Sequence, residues 1–154
     1  MHMLIRIIVV GENKEEALSE ADSVVQKLCQ EGVGPFDYYD MKANWEDCGK
    51  VFDVNRDKGK QLIDEAMRYN KNDFMDKLER IKKIIAANSD ENLYNDNPYL
   101  FRHYCWHLGE YVGTSTYLYD RYGSGIRFPA ELEQSLKDKE DKEQIWIVPV
   151  DVHF

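Results

Sequence analysis

Leu4, Ile5, Ile7, Ile8, Val9 and Val10 populate both faces of an alternating segment that only Arg6 interrupts, the pattern of a strand buried on both sides. It predicts a central strand. Gly11 ends that run, and Asn13-Lys14-Glu15-Glu16 has the Asn-x-x-Glu form of a capping box, in which each side chain satisfies the other residue's free N–H. A helix follows. Ala17, Leu18, Ala21, Val24, Val25 and Leu28 recur at i, i+3, i+4 spacing, while Glu15, Glu20, Asp22 and Lys27 lie off the stripe. Gly32 and Gly34 close the helix.

Phe36 to Met41 alternates with aromatic enrichment and predicts a second strand, giving a strand-helix-strand opening with a crossover helix. Residues 42–56 read as irregular. Asp57 is placed to cap a helix over 58–69 with Leu62, Ile63, Ala66 and Met67 inward, and Asn70 to Asn72 break it. Phe74, Met75, Leu78, Ile81 and Ile85 then form a second helical stripe to about Ala87, followed by a polar loop up to Pro98. Residues 98–112 fit both a helix opened by Pro98 and an aromatic-rich strand, because apolar residues recur at both periods.

Tyr117 to Tyr119 is strand-like, Tyr122 to Gly125 a turn, and Pro129 opens a helix to about Lys137. Ile145 to Phe154 alternates as a last strand, which Pro149 should confine to an edge or a bulge. Together these elements predict one α+β domain over 1–154, ferredoxin-like or a related two-layer sandwich, with a helical insertion at about 57–88.

Composition supports a folded chain of this kind: 43% of the 154 residues are hydrophobic and 12% aromatic, enough for a core despite a mean hydropathy of -0.64. Twenty Lys and Arg against 29 Asp and Glu give a net charge of -9, which argues against phosphate backbones and anionic membranes as partners. No apolar run approaches the length of a membrane span. Cys29, Cys48 and Cys105 are odd in number and widely spaced, so no disulfide framework is signalled and a cytoplasmic location is expected. A second methionine follows at position 3, so His2 is given no weight.

Candidate chemistry is sparse. His103, His107 and Glu110 stand at i, i+4 and i+7, one face of a helix on which two imidazoles and a carboxylate can converge on zinc or iron. A strand over 98–110 would remove that site. Asp53 to Asp64 is a near miss to a calcium loop, with Lys58 where the sharp turn needs glycine. Tyr122-Gly123-Ser124-Gly125-Ile126-Arg127 offers backbone N–H groups to an anion, but lacks the flanking elements of a dinucleotide or P-loop motif. Asp151 and His153 share one face of the last strand, where a carboxylate and an imidazole can share a proton, although the solvent face of an edge strand looks the same.

Two segments carry a resemblance. Phe36-Asp37-Tyr38-Tyr39 with Trp45 is similar to the Trp-Asp-Trp-Tyr-x-x-Gly-Gly-Arg-Trp segment of an uncharacterised family of small phage and prophage proteins, and Val148-Pro149-Val150-Asp151-Val152-His153-Phe154 resembles that family's Val-Val-Asp-Cys-His-Ile terminus. Lys42-Ala43-Asn44 replaces Gly-Gly-Arg here, removing the backbone freedom and the guanidinium of that loop. The resemblance implies an intracellular mobile-element protein of no known activity, and it singles out Asp37, Tyr39, Trp45, Asp151 and His153 as one surface.

Two readings follow. One is a noncatalytic interaction module whose tyrosines contact a host protein, or whose terminal edge strand pairs with a second copy. The other is a small enzyme or ligand sensor using Asp151 and His153, with a metal as an option and no cofactor identified. Either way, Asp151 and His153 are expected to be exposed and replaceable at little cost in stability.

Overall fold

The computed structural model describes residues 1–154. Strand β1 (His2–Gly11) leads into α1 (Lys14–Leu28), then short strands β2 (Tyr38–Asp40) and β3 (Phe52–Asp53). Helices α2 (Asp57–Ala87), α3 (Asp90–Asp96) and α4 (Tyr99–Leu108) follow in succession, before β4 (Leu118–Tyr119), α5 (Pro129–Ser135) and β5 (Gln144–His153). The five strands form one mixed sheet in the order β2-β5-β1-β4, with β3 also on β5. The fold class is α+β, as the pattern predicts.

β1 and β5 pair antiparallel along their full length, from His2 opposite His153 to Gly11 opposite Gln144. Their alternation sends Met3, Ile5, Ile7, Val9, Trp146, Val148, Val150 and Val152 to one face, where Ala17, Ala21, Val24, Val25 and Leu28 of α1 cover them. The opposite face presents Ile8, Val10, Ile145 and Ile147 to Leu62, Ile63 and Ala66 of α2. Two cores result. The insertion therefore closes the second face, and the molecule has three layers in place of the ferredoxin-like two.

The terminal strand is internal, which corrects its expected place at an edge. β5 has β1 on one side and both β2 and β3 on the other. Pro149 is tolerated because it falls between the segments paired with β2 (151–153) and β3 (146–147), where the loop donates Gly49 N–H to the Pro149 carbonyl at 2.8 Å. The missing N–H costs no ladder bond there. β5 has no free edge to offer a second copy, and the strands that do form the edges span only two or three residues.

A second correction concerns the helical segment. α2 runs unbroken for 31 residues through the stretch read as a break. Asn70, 1% exposed, donates from Nδ2 to Ile126 O at 2.8 Å and accepts the Tyr117 N–H on Oδ1 at 2.9 Å. The amide ties the middle of α2 to the two segments flanking β4, using the groups that in a turn would bond locally. Residues 98–112 resolve as helix α4 followed by irregular chain. No helix is long and apolar enough to cross a membrane.

Candidate functional site

The segments singled out in the sequence do meet, in part. Asp37 precedes β2, and β2 lies beside the end of β5 in the register Tyr38 opposite His153. That places Asp37 Oδ2 3.3 Å from His153 Nδ1 and stacks the Tyr38 ring on the imidazole, with centroids 4.6 Å apart and planes 11° from parallel. The other ring nitrogen, Nε2, lies 2.9 Å from the terminal ammonium of Met1. Nδ1 is thus the nitrogen that faces a side-chain carboxylate.

Asp151 shares the His153 face, but that face is the second core face and not a solvent one. The carboxylate is 3% exposed, and its Oδ2 lies 2.9 Å from His2 Nδ1 while Oδ1 has no partner. The His2 ring in turn meets His153 edge-on at 5.2 Å. Tyr39 points to the α1 side, where its hydroxyl donates to Asp22 at 2.7 Å, and burial with that bond pushes its pKa up. Tyr39 therefore stands apart from Asp37, Asp151 and His153.

Trp45, half-exposed, faces a cleft of about 510 Å³ that Arg6, Lys58, Glu65, Tyr69 and Phe154 also line. Its floor explains the lone charge within β1. The Arg6 guanidinium, 5% exposed, donates to Leu4 O at 2.9 Å and to Glu65 at 3.2 Å, and lies 5.6 Å from the Tyr69 ring centre. Burial lowers its pKa, opposed by the charge of Glu65. Such pairing is what an interior cation requires.

The proposed metal ligands share α4 and the residues after it. The His103 and His107 rings pack edge-on at 4.3 Å, while Glu110 turns to His107, Oε2 to Nδ1 at 2.6 Å. The three do not converge on a common point: no group of three His, Cys, Asp or Glu side chains is placed to hold a metal ion. The glycine turn is self-contained as well. Asp120 Oδ1 accepts the N–H groups of Tyr122 and Ser124, each at 2.8 Å, filling with its own carboxylate the nest an anion would occupy.

The residues that pattern reading missed lie in a helical arm, residues 71–112, formed by the distal half of α2 with α3 and α4. Of its 42 residues only Ile81 is buried. Phe101, Tyr104 and Leu108 of α4 are partly covered, while Tyr99, Leu100 and Trp106 are 67%, 53% and 73% exposed. The arm is clasped at its base by Arg127, whose Nη1 donates to the carbonyls of His107, at 3.1 Å, Leu108, at 3.2 Å, and Glu110, closing the C-terminal end of α4. A signal is present in the sequence: Phe101, Tyr104 and Leu108 stand at i, i+3 and i+7, the spacing of a covered helical stripe, which leaves Tyr99 and Trp106 off it.

Comparison with known proteins yields one family model, Domain of unknown function (DUF7995), which matches residues 1–154. No curated protein matches, and no solved structure matches.

Proposed function

The chain belongs to the DUF7995 family over its whole length, and from that footing we propose that it is a noncatalytic protein-interaction module whose contact surface is the helical arm. One observation carries this reading: 41 of the arm's 42 residues escape burial, and the exposed ones include Tyr94, Tyr99, Leu100 and Trp106. Exposed apolar side chains grouped in this way have no role in the fold's own cores, and aromatic side chains supply much of the energy of protein interfaces. Charge points the same way. The arm holds six Lys and Arg against seven Asp and Glu, so nearly all of the net charge of -9 belongs to the rest of the chain. A near-neutral apolar surface suits a protein partner with an apolar groove, while the acidic remainder discourages self-association.

The catalytic reading is less well supported, since Asp151 is buried and paired with His2 in place of His153. The resemblance of the segments around Asp37 and Asp151 to phage proteins suits an effector acting on a host protein. A reducing cytoplasm suits three free cysteines. The test is cross-linking from the native host with the wild type and with a Leu100→Ser, Trp106→Ser variant, both verified as folded. The reading expects one stoichiometric partner protein cross-linked through the arm of the wild type and lost from the variant. Equal capture by both, or no stoichiometric partner, overturns it.

A further inference from the structure

At the root of the arm, α2 and the segment entering α5 enclose a pocket of about 560 Å³, within the range of small-molecule sites. Its walls contain Met67, Phe74 and Phe128, with the two phenylalanine rings edge-on at 5.6 Å. Every ionisable side chain that lines it, Arg68, Lys71 and Arg127, is a cation, although acids outnumber bases in the chain by 29 to 20.

A second observation is the state of Arg127. Its side chain is 1% exposed, yet Nε and Nη2 have no hydrogen-bond partner. The facing carboxylate oxygen, Asp73 Oδ2, stands 3.7 Å from Nη2 and is itself without a hydrogen bond, while the other oxygen of Asp73 is taken by Lys77. Both nitrogens are out of reach of solvent, and Nη2 faces Asp73, which does not line the pocket, so Arg127 adds charge behind the pocket wall and no open donor to it. Asn70 also lines the pocket, but its amide is committed to Ile126 and Tyr117, so the available polar contacts are cationic.

We propose that this pocket binds a small organic anion, a carboxylate or phosphate monoester carried on a flat apolar ring. The ring lies against Phe74, Phe128 and Met67. The anionic group is held by the exposed Arg68 and Lys71 through charge-assisted hydrogen bonds. This site is separate from the exposed face of the arm, so the two proposals stand or fall independently.

Isothermal titration of the full chain with 1-naphthyl phosphate and with 1-naphthoate tests the idea, with 1-naphthol and inorganic phosphate as half-ligands. The expected result is saturable one-to-one binding of at least one naphthyl anion, the stronger of the two identifying the anion class. Each half-ligand should bind at least about tenfold more weakly, and an Arg68→Gln, Lys71→Gln variant should lose about tenfold or more in affinity. Both replaced residues are exposed, so the variant should keep the fold. The proposal is overturned if neither anion binds at millimolar concentration, or if the double variant binds unchanged. It is also overturned if naphthol matches the anions, which would mean an apolar hole only, or if inorganic phosphate matches them, which would mean a charged patch only.

Discussion

The sheet with its two covering helices and the helical arm are built from similar residues but hold themselves together differently. In the sheet region the strand period of two sends apolar side chains to both faces, and each face meets a helix stripe, so β1 and β5 are almost wholly buried. In the arm the same kinds of side chain, Met75, Ile85, Tyr99, Leu100 and Trp106, are left exposed, and α3 and α4 contain no buried residue. Its attachment combines polar and apolar contacts: Asn70 at the point where α2 leaves the second core, Arg127 on the last carbonyls of α4, and Phe74 edge-on to Phe128. A region that folding does not bury is free to be shaped by what it binds. Near-isolated helices of seven and ten residues would be marginal alone, so the arm's order depends on these joints.

The largest expected effect comes from the joint. Asn70→Ala strands a buried carbonyl and a buried N–H, so urea unfolding should show a loss of about 3 kcal/mol, comparable to the loss of about 2–3 kcal/mol for Val150→Ala in the sheet. A cost below that of an ordinary surface change would mean that the joint is dispensable. Next comes the end of β5, where Asp151 and His153 diverge. Asp151→Ala should cost about 1–3 kcal/mol because its site is buried, and His153→Gln, whose partner Asp37 is 71% exposed, less than about 0.5 kcal/mol. Equal costs would remove that distinction.

A pH series adds a smaller effect. Burial, helped by the charge of Asp37, pushes the Cys29 thiol up to about 11 from its ordinary 9.0. The folded chain holds this proton where the unfolded chain has lost it, so the contribution is complete below pH 9.0 and disappears as pH rises toward about 11. Thermal unfolding of Cys29→Ala should therefore decline less steeply than the wild type across that window, while Cys105→Ala, at an exposed arm position, should follow the wild type. Parallel curves for all three would show that Cys29 contributes nothing. The smallest effect on stability belongs to the arm's surface. Leu100→Ser with Trp106→Ser should change the urea midpoint by less than about 0.5 kcal/mol equivalent, and a larger loss would place those side chains in the fold's own packing.

Legibility in the sequence follows the same division. β1 and α1 could be read closely because each is governed by its own period, and because Asn13 does accept the Glu16 N–H at 3.0 Å as the capping motif requires. Asn70 misled because an asparagine in a helix normally bonds its own neighbourhood, whereas its partners here are 47 and 56 residues away in the chain. Pro149 misled for a related reason: whether a proline harms a strand depends on what lies beside it, and here a loop does. The resemblance of the two segments singles out Asp37 and His153 as parts of one surface, without indicating which atoms meet. The burial of Asp151 was not, since strand alternation names a face but not what covers it. The covered face of α4 is written in the sequence as the stripe Phe101, Tyr104 and Leu108, but the strand-like recurrence of apolar residues over 98–112 masks it.

Native-state hydrogen exchange resolved by peptide tests the central contrast most directly. The account predicts two classes: amides of β1 and β5 exchanging only through global unfolding, with rates that respond to low urea, and amides of 90–112 exchanging through local openings of lower free energy that scarcely respond. If the arm's amides prove as protected as those of β1 and β5 and as sensitive to urea, the arm is an integral part of the folded core, and its exposed aromatic face is not a surface left free for a partner.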